Sequence, residues 1–166
     1  PDQALSALGD FRILCPHNQG IYGVENWNRR AEGLLRSGKL ITSPVVIGVN
    51  DYTVGLFNGD DGVRVGKSTY FWAEEGTREV AHSRLPSHQL GYATSIHRSQ
   101  GSEFDTVLIV LPPADARLLT RELLYVAASR AKRRIILLGD TEALKAAVER
   151  NEESRSGIYD LLKCSI

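Results

Sequence analysis

The sequence predicts an α/β fold in which helices cover both faces of a parallel sheet and a small antiparallel β insertion interrupts the order of elements. Two near-continuous apolar runs, at residues 106–111 and 134–138, are typical of strands that are buried on both faces. Between them, apolar residues recur at spacings of three and four, which is the pattern of an amphipathic helix. Residues 48–86 differ, because turn residues divide them into short runs rich in Val, Tyr, Phe and Trp.

The N-terminal segment predicts a strand, a helix and a second strand. Residues 11–15 (FRILC) are short and apolar enough for a buried strand. A helix is predicted from Val24, and it ends near Gly38. The buried face of this helix carries Trp27, Ala31, Leu34 and Leu35. Residues 44–47 (PVVI) predict the next strand, so this segment opens a layered α/β fold.

The C-terminal segment returns to alternating strands and helices. The helix between the two apolar runs has Thr120 as its predicted N-cap and Glu122 in its first turn. A further helix is predicted after the second run, capped by Asp140 or Thr141. Its apolar stripe consists of Ala143, Leu144, Ala147 and Val148.

Composition restricts the class of protein. Hydrophobic residues make up 42% of the 166 residues, which is enough for a core and excludes a disordered tail or a fibre. Twenty basic residues balance twenty acidic ones, so a nucleic-acid role requires a local patch of positive charge. No apolar run approaches the ~20 residues that span a bilayer, and no charged and apolar leader opens the chain. We therefore expect a cytoplasmic protein with no membrane contact.

Two further features concern cysteine and methionine. Cys15 and Cys164 lie near opposite ends of the chain without metal-ligand spacing, so we expect free thiols and no metal site. The sequence contains no Met, even at its first position, which predicts that the chain is part of a longer protein.

These patterns predict two domains, one of them discontinuous. Residues 1–47 and 87–166 form the α/β domain, and residues 48–86 form an inserted small β-barrel. About 40 residues are too few for an independent core, so the insertion should pack against the α/β domain.

Gly66-Lys67-Ser68 resembles the end of a phosphate-binding P-loop, but the motif is incomplete. The complete P-loop pattern requires a glycine five places before Gly66, where this chain has Asp61. Strand-forming residues 70–72 (YFW) follow, whereas a helix follows a P-loop. The segment therefore predicts a hairpin turn, and the chain holds no complete cradle for a nucleoside triphosphate.

The segment with the most polar side chains suited to binding lies directly before the predicted strand at residues 106–111. Residues 91–105 (GYATSIHRSQGSEFD) gather hydroxyl groups, one arginine and the carboxylate of Glu103 around Gly101. Hydroxyls, a glycine backbone and an arginine suit phosphate oxygens, and a carboxylate such as Glu103 suits ribose hydroxyls. A polar loop that satisfies its own backbone explains the composition equally well.

Four basic side chains, Arg130, Lys132, Arg133 and Arg134, close the helix before the second buried strand. The helix dipole favours cations at this end, but that effect explains one or two charges and not four. A planar guanidinium at Arg130, beside small alanines, suits a phosphoryl group in a cleft.

Three segments in the order of the chain resemble conserved motifs of superfamily 1 helicases. Residues 94–104 (TSIHRSQGSEF) are similar to motif V, and residues 122–132 (ELLYVAASRAK) are similar to motif VI. Residues 13–20 (ILCPHNQG), with Trp27 and Asn28, resemble motif IV. Residues 50–60 (NDYTVGLFNGD) are similar to the start of the SH3-type barrel inserted in the second motor domain of the RecD family, the alpha subunits of exodeoxyribonuclease V. The resemblance is closest to the C-terminal part of that family.

The resemblance implies a RecA-like second motor domain and a role for each matched residue. Arg130 would be the arginine finger that reaches the γ-phosphate of ATP across a cleft. The residues that line the nucleotide would be Gln100, Gly101 and Glu103, with Glu103 bound to the ribose. The residues that face single-stranded DNA would be Thr94, Ser95 and His97.

The same resemblance implies that the machinery is divided between domains. ATP and Mg²⁺ would be bound mainly by an upstream RecA-like domain of the same chain, and by no complete site in this one. The partners would be single-stranded DNA and RecB- and RecC-type subunits, in DNA recombination and double-strand break repair. The isolated chain would be inactive.

Two other functions remain open from the sequence. One is a stand-alone module that binds single-stranded nucleic acid or a protein through the barrel and the motif V surface. The other is part of an RNA helicase, because superfamily 1 motors act on both polymers.

Overall fold

The described part of the chain folds into a four-stranded parallel sheet and a five-stranded antiparallel sheet. The structure, a computed structural model, describes residues 1–36 and 42–151. The predicted helix end near Gly38 and the predicted free thiol of Cys164 lie outside these residues. Among the described residues, no helix combines the length and the apolar character needed to cross a membrane.

The parallel sheet has the strand order β7-β1-β8-β9, and helices pack on both of its faces. Its strands are β1 (Phe11–Cys15), β7 (Ala93–Ser95), β8 (Phe104–Val110) and β9 (Ala131–Leu138). The helices are α1 (Asp2–Ser6), α2 (Val24–Arg36), α3 (Arg121–Ala128) and α4 (Thr141–Glu149). The predicted α/β class is confirmed, although the short helix α1 was not predicted.

Alternation along β1 and β8 builds a core on each face of this sheet. Leu14 and Val107 pack with Ala127 of α3 and Ala143 of α4, whereas Ile13 packs on the opposite face toward α2. Successive side chains of a strand point to opposite faces, so one buried strand can supply both cores. The predicted strand at residues 106–111 is thus confirmed as doubly covered.

The last strand differs from its prediction. Residues 135–138 (IILL) are 39–46% exposed, because β9 is the edge strand of the parallel sheet. The expectation that this run is covered on both faces is therefore wrong for the described part of the chain. The preceding helix also ends earlier than expected, at Ala128, and Lys132–Arg134 lie in β9 rather than at the helix end. Parallel pairing with β8 extends β9 back to Ala131 and takes these residues out of the helix.

Helix α3 begins where its predicted cap stands. The Oγ1 of Thr120 accepts a hydrogen bond of 3.2 Å from the main-chain N–H of Leu123. Helix α4 begins after Asp140, whose side chain makes no capping hydrogen bond. Its Ala143 and Ala147 are buried, whereas Val148 is exposed.

The antiparallel sheet has the order β5-β4-β3-β2-β6 and encloses a small core. Its strands are β2 (Thr42–Ile47), β3 (Asp61–Val65), β4 (Ser68–Ala73), β5 (Gly76–Ala81) and β6 (His88–Leu90). The core consists of Ile47, Leu56, Phe71 and Val80. The predicted hairpins are confirmed, and Gly66, at φ +62°, lies in the turn between β3 and β4, where a hairpin was predicted in place of a P-loop.

One detail of the antiparallel sheet differs from expectation. The strand at residues 44–47 exists, but it pairs with β3 and β6 and does not continue the parallel sheet. The division into domains at residues 47/48 and 86/87 stays a prediction.

Candidate nucleotide and nucleic-acid site

The motif V segment forms a turn that crosses the parallel sheet. β7 and β8 flank β1, so residues 96–103 pass over β1 from the carboxyl end of β7 to the amino end of β8. Ile96 anchors the start of the turn, because its side chain is buried and its N–H donates to the carbonyl of Cys15 over 2.9 Å. Gly101 has a φ of +88°, a value that favours glycine, and a Cβ there would meet no atom within 4 Å.

Arg130 lies at the far end of this turn. Its Nη1 donates to the main-chain carbonyl of Ser102 over 3.3 Å, and its Nη2 donates to the Oγ of Ser129 over 3.0 Å. The backbone joins the same two segments, because the N–H of Phe104 donates to the carbonyl of Arg130 over 2.8 Å. Within residues 1–36 and 42–151, no carboxylate lies within ion-pair distance of this guanidinium. A half-exposed cation with only neutral acceptors keeps its attraction for an added anion.

The other predicted nucleotide residues lie along the same turn. Gln100 and Gly101 are exposed, and the N–H of Gln100 donates to the carbonyl of His97 over 3.3 Å. Glu103 is also exposed and forms an ion pair of 3.7 Å with Lys132 of β9. Because both partners of that pair are exposed, the pair is weak and Glu103 can exchange it for another donor. The turn thus presents Gln100, Gly101 and Glu103 on the surface that leads to Arg130.

The predicted DNA-contacting residues lie at the opposite end of the turn. Thr94 and Ser95 are in β7, in register with Leu14 and Cys15 of β1, and both are half-buried. The Oγ of Ser95 accepts a hydrogen bond from the N–H of Arg98 over 3.3 Å. His97 is exposed in the turn. The segment therefore separates two groups, with Thr94–His97 at its start and Gln100–Glu103 at its end.

Asn28 has a structural role that the sequence reasoning did not assign. Its side-chain Oδ1 accepts from the N–H of Ala93 over 2.8 Å, and its Nδ2 donates to the carbonyl of the same residue over 3.3 Å. The side-chain amide of Asn28 is buried, and it pairs with the backbone of the edge strand β7 as a further strand would. In the sequence, Asn28 stood out only through the motif IV resemblance. An asparagine next to the predicted buried face of a helix is the signal that could have identified its structural role.

Two arginines connect the parallel sheet and the motif V turn to the antiparallel sheet. Arg12 of β1 is buried and pairs with Asp61 of β3 over 3.0 Å, while its Nη1 donates to the carbonyl of Gly91 over 2.6 Å. Its guanidinium also lies 4.8 Å from the centre of the Phe104 ring. Arg98, in the motif V turn, donates to the carbonyl of Ile47 over 2.9 Å. Neither role was predicted, because both partners are remote in sequence.

Cys15 lies beneath the start of the turn. Burial raises the pKa of its thiol to about 12, because a thiolate would lose its hydration there. The thiol is therefore a neutral packing group, as expected from its position in a buried strand.

Comparison with known proteins places these features in a family. The profile of the UvrD-like helicase C-terminal domain matches residues 90–138, which include the motif V and motif VI segments. The chain is 38% identical to the RecBCD enzyme subunit RecD of Mycobacterium tuberculosis (strain CDC 1551 / Oshkosh), over 95% of this chain and 29% of that protein. It is 34% identical to the RecBCD enzyme subunit RecD of Haemophilus influenzae, over 94% and 26%. It is 33% identical to the ATP-dependent RecD2 DNA helicase of Deinococcus radiodurans, over 92% and 23%.

Solved structures support the same fold. The Pif1 helicase of Candida albicans superimposes with a TM-score of 0.60 at 14% identity, over 99% of this chain and 54% of that one. Pif1 helicase from Bacteroides, in complex with ADP-AlF3 and ssDNA, gives a TM-score of 0.58 at 20% identity, over 98% and 49%. The expected RecA-like motor fold is thereby confirmed.

The chain spans less than a third of the length of the curated relatives named above. It matches them along nearly its whole length, and the predicted motifs fall within the matched region. The chain therefore corresponds to the C-terminal part of the RecD relatives, to which it is 34–38% identical along nearly its whole length.

Proposed function

We propose that this chain is the second motor domain of an ATP-dependent DNA helicase that acts in recombination and double-strand break repair. The observation that carries the proposal is the position of Arg130 beside the motif V turn, half-exposed and bonded only to neutral acceptors. An arginine in such a place can stabilise the charge that develops on a transferred phosphoryl group. The RecD relatives, at 34–38% identity, support the same assignment.

The residues of the turn fit a nucleotide that is held mainly by another domain. In the hydrolysis that drives movement, the terminal phosphoryl group of ATP, bound with Mg²⁺, would pass to water and ADP would leave. Arg130 would contact the terminal phosphate, Gln100 and Gly101 would line the nucleotide, and Glu103 would accept a hydrogen bond from the ribose. The open backbone at Gly101 supports this fit, because a ligand can approach the turn closely there.

Single-stranded DNA would contact the start of the same turn. His97 is exposed, and Thr94 and Ser95 offer hydroxyl groups at the end of β7. Hydroxyl and imidazole groups hold backbone phosphates without reading the base sequence. A nucleotide at one end of an eight-residue crossing turn and DNA at the other would couple cleft closure to movement along the strand.

The proposed partners follow from the relatives. An upstream RecA-like domain of the same chain would hold the phosphates of ATP, and the isolated 166 residues would then hydrolyse none. The relatives named as RecD subunits of the RecBCD enzyme support RecB- and RecC-type subunits as further partners. The proposed location is the cytoplasm, where bacterial DNA lies.

ATP hydrolysis by the native protein that contains this chain tests the proposal. Activity would be measured without nucleic acid, with single-stranded DNA and with single-stranded RNA. We expect single-stranded DNA, but not single-stranded RNA, to stimulate the hydrolysis of ATP. Stimulation by RNA alone would favour an RNA helicase, and binding of DNA without any hydrolysis would favour a binding module.

A further inference from the structure

Arg98 leaves the motif V turn and reaches the antiparallel sheet. Its Nη2 donates to the main-chain carbonyl of Ile47, over 2.9 Å, and to the Oδ1 of Asn58. Ile47 is the last residue of β2 and is fully buried, whereas Asn58 is exposed in the loop before β3. One guanidinium nitrogen therefore joins the turn to two separate points of the other sheet.

The two acceptors are held in place by the loop that contains them. The N–H of Asn58 donates to the Oδ1 of Asn50 over 2.8 Å, and the N–H of Gly59 donates to the carbonyl of Ile47 over 2.9 Å. Gly59 has a φ of +103°, which lets the loop turn back toward β2. The acceptors are thus preorganised, so Arg98 binds a fixed site and not a mobile loop.

The backbone around Arg98 transmits this attachment to its neighbours. The N–H of Arg98 donates to the Oγ of Ser95, and the next residue, Ser99, is buried with its Oγ donating to the carbonyl of Ile96 over 2.7 Å. His97 lies directly before Arg98 in the chain. The position of Arg98 therefore constrains its neighbour His97.

A second arginine joins the two sheets at the same place. Arg12 and Asp61 pair across the same junction. A cavity of about 40 Å³ lies between the two arginines, and Thr94 and Ser102 contribute to its lining. Two fixed points on either side of one small cavity hold the junction in one arrangement.

We infer that Arg98 is a positioning residue, which fixes the motif V turn against the antiparallel sheet so that Thr94 and His97 meet single-stranded DNA in one geometry. This inference rests on the proposed function. The two N–H groups of Nη2 are fixed in the plane of the guanidinium and can serve both acceptors, whereas a lysine ammonium rotates on a flexible stem. The charge of Arg98 alone is therefore not sufficient.

A double-mutant cycle in the native protein tests the inference. The variants are Arg98→Ala, Arg98→Lys, Asn58→Ala and the double variant Arg98→Ala/Asn58→Ala. The DNA concentration that gives half-maximal ATP hydrolysis should rise about tenfold in Arg98→Ala, the scale of one lost charge-assisted interaction. Asn58→Ala should raise it about threefold, and the double variant should match Arg98→Ala, because both changes break the same contact.

Several results would overturn the inference. If Arg98→Lys restores normal DNA dependence, or if the two alanine changes add independently, Arg98 acts through its charge on DNA. Arg84→Ala is the matched control, because Arg84 is an exposed arginine of the antiparallel region, and it should leave the half-maximal DNA concentration within about twofold. Should Arg98→Ala fail to fold, Asn58→Ala carries the test alone.

Hydrogen exchange separates failure of this inference from failure of the proposed function. Amides of residues 94–102 should exchange at least about tenfold faster in Asn58→Ala and Arg98→Lys than in the wild type, because the turn loses its attachment. Unchanged exchange overturns the positioning role whatever the ATPase does. Absence of DNA-stimulated hydrolysis in the wild type overturns the proposed function, while faster exchange in the variants still supports the attachment.

Discussion

The guanidinium of Arg130 lies 3.3 Å from the main-chain carbonyl oxygen of Ser102, so a cationic side chain of the motif VI segment contacts the motif V turn. The two residues come from separate segments and are brought together where β8 and β9 begin. Because a carbonyl holds the guanidinium only weakly compared with a carboxylate, an anion can take its place. This contact is the geometric basis of the proposed motor function.

The first prediction concerns the amide of Asn28. Asn28→Ala should lower the free energy of unfolding by about 2 kcal/mol, because the buried N–H and carbonyl of Ala93 lose their partner. Urea unfolding of the chain measures the change. Asn26→Ala is the control, since its hydrogen bond to Ile21 is exposed and its loss should cost less than about 1 kcal/mol. Equal effects of the two variants would contradict this role of Asn28.

A second prediction concerns the ion pair between the buried guanidinium of Arg12 and the partly exposed carboxylate of Asp61. Asp61→Ala should destabilise the chain by about 3 kcal/mol, because it leaves the buried guanidinium of Arg12 without its carboxylate. The double variant Arg12→Met/Asp61→Ala should recover part of that loss in the same unfolding measurement. Asp105→Ala removes a carboxylate whose partner, Arg133, is exposed, and it should cost less than about 1 kcal/mol. The pair is not structural if Asp61→Ala behaves like this control.

A third prediction concerns pH. Because the pKa of Cys15 is raised from 9.0 to about 12 on folding, the folded chain retains a proton that the unfolded chain releases in this range. The contribution of the thiol to stability is complete below pH 9.0 and is lost as the pH rises toward 12. Wild type should therefore lose more stability than Cys15→Ala between pH 9 and 11, as measured by urea unfolding at each pH. Parallel curves would show that the thiol ionises freely in the folded state.

The fold was predictable where one local pattern decided the outcome. The buried strand at residues 11–15 and the cap at Thr120 each depend on residues adjacent in sequence, and both predictions are confirmed. The exposure of Ile135 was not predictable, because an apolar strand has the same composition at the centre of a sheet and at its edge. The pairing of residues 44–47 likewise depends on partners far along the chain.

The candidate site was predicted through the resemblance more than through composition. Polar residues in the motif V segment were equally compatible with a self-satisfied loop, and the structure does place the Oγ of Ser95 in such a local bond. Arg98 was counted among groups that suit phosphate, yet its Nη2 binds Ile47 and Asn58. Contacts between remote segments decide which cations remain available, and a sequence pattern does not contain them.

A fourth prediction concerns DNA. Thr94→Ala and His97→Ala in the native protein should each weaken binding of single-stranded DNA about three- to tenfold, because each removes one contact to the backbone. The loss should be the same for oligonucleotides of different sequence, as measured by fluorescence anisotropy. Thr77→Ala, in the exposed strand β5, serves as the control. A loss that depends on base sequence would indicate readout of bases instead.

The most direct test of the account is the rate of DNA-stimulated ATP hydrolysis by the native protein with Arg130→Ala. An arginine finger contributes about 10³-fold or more to the rate, so the variant should lose nearly all stimulated turnover while its unfolding transition stays close to that of the wild type. Arg133→Ala, which removes an exposed arginine paired with Asp105, should keep its turnover within about twofold. Near-normal turnover in Arg130→Ala would contradict the assignment of Arg130 to the nucleotide cleft.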